Sequence, residues 1–433
     1  MHRLIVPALA VLLTCVAPCR AETLEDAWTM ALDTDPGLQA VRLQTGAAES
    51  NLAAARSNRL PVVEVEGAFT QLDQSPGIDS DFISLPFAFS TPDIFSSDNF
   101  VTAAARISVP LYTSGAISHG VDAAADQVDA RMAGESAFIQ DLKLAVAESF
   151  VAVLRAQSAG SVAAAYVTSL EAHLVDVENL YRKDLVPRND VLAVTVSLAD
   201  ARQAALRANN ALDIARAAYN RRLSRNLDSA VSLEEVMPMV AEPARSDDLE
   251  ALTATAMASR TEPEILSRGA QALQKQAQVV RARLRPQIAA TAGYAYQESD
   301  LLRDETFAFA GVGLRWSPFD GGRTRNQSTA LAQTADALIE QRDEAVALIR
   351  LQVRSAWLDM AESRERLTVT QTATEQAQEN LRIARSRYQN GLGTNTEVLD
   401  AQALQVLSDS NHNNARYDAA LARLRLARAV GVL

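Results

Sequence analysis

The chain has 433 residues, of which 48% are hydrophobic and only 5% aromatic, and its net charge is −12. That length suits two or three ordinary domains, and the mixture, rich in Ala, Leu, Gln and Arg, favours long packed helices over a sheet-rich core. The acidic balance, with no basic patch interleaved with aromatics, argues against nucleic acid as a partner.

Residues 1–21 read as a signal peptide. Arg3 supplies the positive start, Leu4 to Val16 the apolar stretch, and Cys19-Arg20-Ala21 the cleavage site. Cleavage before Glu22 would leave a charge of −14 and no cysteine, because Cys15 and Cys19 both lie in the removed segment. Disulfide and thiol chemistry then drop out. A lipid on Cys19 is the alternative, although Val16-Ala17-Pro18 fits a lipoprotein processing site poorly. Beyond residue 21 no run of 18 apolar residues occurs. No membrane-spanning helix is expected, which leaves a periplasmic protein, a secreted one or a membrane β-barrel.

The rest of the chain reads as two structural repeats, 22–225 and 249–433, joined by a linker at 226–248 that holds Pro238, Pro243 and several acidic residues. Each repeat begins with a short amphipathic helix (Leu24 to Ala31; Leu249 to Ala258), restarts at an acidic-Pro pair (Asp35-Pro36; Glu262-Pro263) and stops at a proline (Pro61; Pro286). Strand patterns follow, at about 62–72 and 100–111 in the first repeat and 287–297 and 307–317 in the second. Val101, Ala103, Ala105, Ile107 and Val109 alternate with Thr102, Ala104, Arg106 and Ser108. Ile288, Ala290, Ala292, Tyr294 and Tyr296 oppose Gln287, Ala289, Thr291 and Gly293, and Ala308, Ala310, Val312, Leu314 and Trp316 oppose Arg315 and Ser317. An apolar face against a polar one, at about 10 residues per strand, suits a transmembrane β-barrel with a wet lumen; a half-buried soluble sheet gives the same alternation. The first strand pair is joined by a long loop, Asp73 to Asp98, carrying Phe82, Phe87, Phe89 and Phe95.

Very long helices come next. No proline occurs between Leu111 and Val186, and neither proline nor glycine between Arg323 and Asn390. Met132, Ile139, Val146, Val153, Gly160, Val167, Leu174 and Tyr181 follow one another at a spacing of seven, as do Ile339, Val346, Val353, Met360, Leu367, Thr374, Leu381 and Tyr388. Sustained heptads predict coiled-coil packing, and some 68 residues at about 1.5 Å each make a rod of roughly 100 Å. Each rod ends in a short polar break, YRKDLVPRNDVL at 181–192 and YQNGLGTNTEVL at 388–399, two copies related by an offset of 207 residues. An acidic residue, Asp190 or Glu397, then opens a return helix, where the helix N-terminus favours negative charge.

Little in the sequence supports catalysis. His2, His119, His173 and His412 are scattered without metal spacing, and no nucleophile elbow, Walker loop or dinucleotide fingerprint appears. Asp320-Gly321-Gly322-Arg323 sits where a strand meets a helix and reads as a turn with a helix start. No catalytic residue, metal or cofactor is expected, and an enzyme is not. Four strands cannot close a barrel, and an open sheet in a membrane leaves edges unsatisfied. Three chains would supply 12 strands and 12 helical segments. A periplasmic coiled-coil scaffold whose strands form a soluble sheet is the competing reading.

The chain resembles the TolC-like outer-membrane efflux and secretion proteins. The resemblance rests on LEDAWTMALDTDPGL, the PLYTSG and PFDGGR crossings, the two tips and the duplicated helix-strand-strand-helix order, and it spans nearly the whole mature chain. It implies a mainly α protein with duplicated long-helix hairpins and four strands per chain, forming as a homotrimer a 12-stranded barrel in the outer membrane and an α-helical periplasmic tunnel. It implies partners too: outer-membrane lipid, a periplasmic adaptor, and the inner-membrane transporter or secretion ATPase to which that adaptor belongs. By motif position Asp190, Tyr388, Glu397 and Asp400 match the family's periplasmic gate, with carboxylate rings that would attract cations. Where the family often carries a gate arginine, this chain has Gly393; Arg188 on the other tip is expected to supply that charge. Gly391, Leu392 and Gly393 match the adaptor-docking tip, whereas Asp184, Leu185 and Val186 on the first tip lack the usual Gly.

Overall fold

The computed structural model describes residues 21–73, 99–235, 248–299 and 303–433. The signal peptide up to Arg20, nearly all of the Asp73–Asp98 loop and the middle of the linker lie outside the described residues. Twelve elements run in the order α1 (Leu24–Thr34), α2 (Pro36–Ser57), β1 (Val62–Gln71), β2 (Asn99–Tyr112), α3 (Ala116–Tyr181), α4 (Arg188–Arg222), α5 (Leu249–Ser259), α6 (Glu262–Ala282), β3 (Gln287–Gln297), β4 (Thr306–Arg315), α7 (Arg323–Gln389) and α8 (Asn395–Val430). Among the described residues the chain is mainly helical, with one four-stranded sheet. Of the described residues, one compact unit runs to Gln39 and takes Phe138–Arg260 and Ile349–Leu433; the other takes Ala40–Ala137 and Thr261–Leu348.

The second unit holds the sheet. Its order is β1-β2-β3-β4, antiparallel throughout. The duplication reaches the register itself. Val62 pairs with Ser108 and Val63 with Ile107 in the first hairpin; Gln287 pairs with Arg315 and Ile288 with Leu314 in the second. A shift of 225 residues on the first strand of the hairpin and 207 on the second therefore superposes one hairpin's pairing on the other's.

Because side chains alternate across a strand, this register gathers Val63, Val65, Phe69, Val101, Ile107, Ile288, Tyr294, Val312 and Leu314 on one face. That face is open in the single chain, with Val65 80% and Val312 70% exposed. The opposite face carries the charges. Arg106 donates to Glu64 at 2.7 Å and to Glu66 at 2.5 Å. It is not uniformly polar, however, since Phe307 and Phe309 lie on it. The Phe309 ring covers Gly293, where a Cβ would come within 2.7 Å of the ring and 2.5 Å of the Ala105 carbonyl oxygen. β4 ends at Arg315, so Trp316 and Ser317, expected in the strand, lie beyond it. There the Trp316 indole N–H donates to the Leu284 carbonyl at 3.1 Å.

The two crossings from strand to long helix are tight turns. Gly321 (φ +69°) and Gly322 (φ +87°) turn the chain, and the Asp320 carboxylate accepts from the Thr324 amide at 3.0 Å and its hydroxyl at 2.6 Å. Those are the donors an N-terminal cap satisfies, so the acid caps the helix start. At the first crossing Ser114 and Gly115 take the positive φ values, and the Ser114 hydroxyl donates to the Pro286 carbonyl at 2.6 Å.

Along the long helices the expected seam departs at one place in this unit. Met132 is exposed. α6 meets α3 instead at Gly134, within van der Waals reach of Ile265, and Arg268 bridges to Asp126 and Asp129.

The first unit is a helical core. α1 starts with a reciprocal cap, in which the Thr23 hydroxyl accepts from the Asp26 amide and the Asp26 carboxylate accepts from the Thr23 amide. It buries Leu24, Ala27 and Ala31 against Val146, Phe150, Tyr219 and Leu424. α5 repeats the arrangement, setting Leu252 and Ala256 against Ile349, Val353, Leu426 and Val430. The seam positions Val146, Val153, Val353, Met360, Leu381 and Tyr388 are all buried. The return helices begin at Arg188 and Asn395, two residues earlier than the acidic residues suggest, because Pro187 and Thr394 take the N-cap positions.

Candidate functional site

Both hairpin tips lie in the first unit and are built the same way. In the first, the Leu185 amide donates to the Leu180 carbonyl and the Asp184 amide to that of Tyr181. In the second, the Leu392 amide donates to Arg387 and the Gly391 amide to Tyr388. These are two Schellman closures, with Asp184 (φ +57°) and Gly391 (φ +70°) at the left-handed position. The missing glycine of the first tip thus changes the residue and keeps the turn. Leu185 and Leu392 project at the two apices, 66% and 71% exposed. Val186 turns inward and packs on the tip core. The Arg387 guanidinium clips the second turn by donating to the Leu392 carbonyl at 3.1 Å. Gly393 is held close: a Cβ there would lie 3.0 Å from a Glu397 carboxylate oxygen and 3.2 Å from the Arg387 Cβ.

Above the turns, Val177, Val194, Leu381, Ala384, Tyr388, Val398 and Ala401 form an apolar cluster drawn from all four helices. A polar junction is set into it. The Tyr388 hydroxyl donates to Asp190 Oδ2 at 3.2 Å, and the Asn395 amide donates to the Asp190 carbonyl at 3.3 Å. Asn395 Oδ1 faces His173 Nε2 at 2.8 Å, and the His173 and Tyr388 rings meet edge to face at 5.6 Å. Since the Asn395 amide nitrogen already donates to Asp190, its oxygen is the acceptor, which places the His173 proton on Nε2.

One residue from each of α3, α4, α7 and α8 therefore meets at a single point. Burial pushes the Tyr388 phenol far above its ordinary value, and the Asp190 charge adds to this, so it stays a donor. Burial also lowers the His173 pKa, against the Asn395 hydrogen bond; Arg385 lowers it further, while Asp176 and Asp190 raise it. The imidazole is neutral at pH 7. Around the junction Gln389 donates to Asp176 at 3.2 Å, and Gln402 and Arg385 both donate to the Ser169 hydroxyl.

Of the residues matched by motif to a gate, the structure brings Asp190 and Tyr388 together. Glu397 is exposed in the first turn of α8, its amide donating to the Thr394 hydroxyl at 3.3 Å. Asp400 lies exposed one turn further on, and Arg188 is exposed at the first position of α4. Among the described residues none of these three charged side chains has a partner within the chain. His173 and Asn395 carry the junction but escaped the sequence reading. His173 is one of four scattered histidines without metal spacing, and Asn395 falls within the expected second tip. Among the described residues no group of three or more His, Cys, Asp or Glu side chains could hold a metal ion, and no helix is long and apolar enough to cross a membrane.

The sequence profile described as outer membrane efflux protein matches residues 28–221 and 269–432. The chain belongs to the outer membrane efflux protein family. No curated protein sequence matches it. Solved structures of similar fold include the outer membrane protein VceC of Vibrio cholerae, at 18% identity over 94% of this chain and 96% of that one, with a TM-score of 0.78. Another is the CmeC outer membrane channel of Campylobacter jejuni, at 14% identity over 95% and 86%, TM-score 0.80. A third is the open state of the Neisseria gonorrhoeae MtrE outer membrane channel, at 15% identity over 94% and 88%, TM-score 0.73. At such identities the likeness is one of fold, and it extends over nearly the whole family member described here.

Proposed function

We propose that this efflux-family chain is the passive outer-membrane duct of a tripartite efflux pump or type I secretion system, opened at its hairpin tips by a periplasmic adaptor. The observation that carries the reading is the sheet. One face is largely apolar and mostly exposed on β1, β2 and β4, the other bears Glu64, Glu66 and Arg106, and β1 and β4 each have a free edge among the described residues. In water such a face is an aggregation hazard. In lipid it is the outer wall of a barrel, provided that the edges pair. Pairing β4 of one chain with β1 of the next closes three chains into 12 strands, with the charged face lining the lumen. A soluble scaffold leaves both the apolar face and the edges unaccounted for.

The gate follows from the tips. Asp190 and Tyr388 tie the hairpins together, Glu397 and Asp400 present carboxylates that in three copies would favour cations, and Leu185 and Leu392, flanked by Asp184, Val186, Gly391 and Gly393, offer an apolar edge for the adaptor. The adaptor in turn would connect the duct to an inner-membrane transporter. That the fold admits an open form is supported by the open state named for the MtrE channel. Membrane fractionation of the exported chain, with mass measurement in mild detergent, tests the proposal. A trimer in the outer membrane is expected; a soluble monomer or dimer in the periplasm would overturn it.

A further inference from the structure

We infer that the sheet carries an ion pair across the seam between chains, with Arg315 at the end of β4 in one protomer set against Glu66 on β1 of the next. The pair rests on the trimeric duct proposed above. Among the described residues the four strands hold four charged residues, Glu64, Glu66, Arg106 and Arg315. All four belong to one face. Glu64 pairs directly with Arg106, Arg106 with Gly293, and Gln287, six residues before Gly293, with Arg315. Side chains alternate along a strand, so an even separation keeps Arg315 on the side of Arg106. Glu64, Arg106, Thr291 and Arg315 line a single hollow of about 560 Å³.

Within one chain these charges are not all matched. Arg106 lies between two carboxylates, donating to Glu64 at 2.7 Å and to Glu66 at 2.5 Å. Arg315 is exposed and has no carboxylate partner in its own chain among the described residues. The surplus anion and the surplus cation therefore sit on β1 and β4, the two edge strands of the sheet, which a closing barrel joins.

The register of that joint follows from the duplication. A shift of 225 residues carries β1 onto β3, and one of 207 carries β2 onto β4. Inside the chain β2 meets β3 with Ser108 opposite Thr291. Between chains β4 meets β1 in the same sense, and the two shifts turn Ser108 into Arg315 and Thr291 into Glu66. A pair of hydroxyls inside the chain thus becomes a cation facing an anion between chains. Directly opposite residues of an antiparallel pair have Cβ atoms about 4.5–5.5 Å apart, within reach of an arginine and a glutamate. A slide of one residue would set Arg315 beside Val65 or Gly67, positions of the apolar face; a slide of two would set it beside Glu64 or Ala68. In the inferred register Glu66 lies between Arg106 of its own chain and Arg315 of the neighbour. Two carboxylates then meet two guanidinium groups at each seam, and the strands give the lumen wall no net charge.

The test uses the exported protein, purified as its detergent oligomer. Both native cysteines lie in the expected signal segment, so no other thiol competes once export is complete. Arg315→Cys combined with Glu66→Cys should oxidise to covalent dimers and trimers on a non-reducing gel. Ser108→Cys with Thr291→Cys, the same joint inside the chain, should give internally linked monomer. An oligomer in which the internal pair links and the Arg315/Glu66 pair does not, or in which Arg315→Cys links to Glu64→Cys or Ala68→Cys instead, overturns the seam pair and leaves the duct standing. Absence of any trimer before oxidation overturns the duct and the seam pair with it. Charge reversal reads the ion pair itself, independently of disulfide geometry. Arg315→Glu should lower the temperature at which the oligomer dissociates by several degrees, and adding Glu66→Arg should recover at least half of that loss. A double variant no more stable than Arg315→Glu alone would overturn the ion pair.

Discussion

Tyr388→Phe isolates one atom of the proposed gate. The phenyl ring keeps its place in the tip core and its edge contact with His173; only the donor to Asp190 is lost. A hydrogen bond to a charged group contributes about 1.5–3 kcal/mol. Asp190 is only partly buried, so water can take the vacated position, which brings the loss down to about 1–2 kcal/mol per protomer. If three tips open together and their contributions add, the closed state loses about 3–6 kcal/mol. At about 1.4 kcal/mol per tenfold, that shifts the closed-to-open ratio by roughly two to four orders of magnitude. Single-channel recording in planar bilayers, without adaptor, reads this directly: rare openings should become frequent. An unchanged open probability in a variant that remains trimeric would refute the claim that this bond holds the tip.

The His173 environment gives the tip junction a pH dependence. Its pKa is lowered in the closed tip and returns toward the ordinary value of about 6.5 when the junction parts. Below that value the disrupted state binds more protons, so closed-state stability is full above about pH 6.5 and falls on acidification, by at most about 1.4 kcal/mol per pH unit. Arg385 acts in the same direction, and Asp176 and Asp190 oppose it. Denaturant titrations at several pH values should show a flatter profile for His173→Gln, and identical profiles would sink the assignment. Gly391→Ala meets no atom within 4 Å, so it tests the left-handed backbone alone and should cost about 1 kcal/mol, read as a lower melting temperature; no loss would refute the need for glycine there. Gly293→Ala should destabilise the sheet by about 1–3 kcal/mol. Phe309→Ala should not rescue it, because the Ala105 carbonyl remains in the way; full rescue in a heat-dissociation assay would refute that. Finally, the β2–β3 register, Ala105 opposite Tyr294, carried through the offsets of 207 and 225, puts Val312 opposite Phe69 of the neighbouring chain. A Val312→Cys/Phe69→Cys pair should cross-link chains in the oligomer, and linkage only to position 68 or 70 would refute the register.

The parts of this fold legible in the sequence are those governed by local rules. Proline stops at Pro61 and Pro286, alternation from Val101 to Val109 and an uninterrupted heptad from Ile339 to Tyr388 each constrain their own segment, and the elements fall there. Strand ends were less clear, because Trp316 alternates correctly yet leaves the ladder to hydrogen-bond Leu284. Only the two return helices start two residues ahead of the expected place, because the acidic residue favoured by the helix dipole stands at the third helical position and the cap itself is Pro187 or Thr394.

What stayed hidden was pairwise. Asp190 and Tyr388 were identifiable by motif, but nothing local to His173 or Asn395 says that they meet, since 222 residues separate them. Their meeting depends on how four helices pack at the tip. Duplication makes that packing partly predictable after the fact. Where the two repeats agree, as at Tyr181 and Tyr388 or Leu185 and Leu392, they preserve the turn and the seam. Where they differ, as at Asn395 against Arg188 and His173 against Asn380, the residue at the junction is buried and its counterpart in the other repeat is exposed.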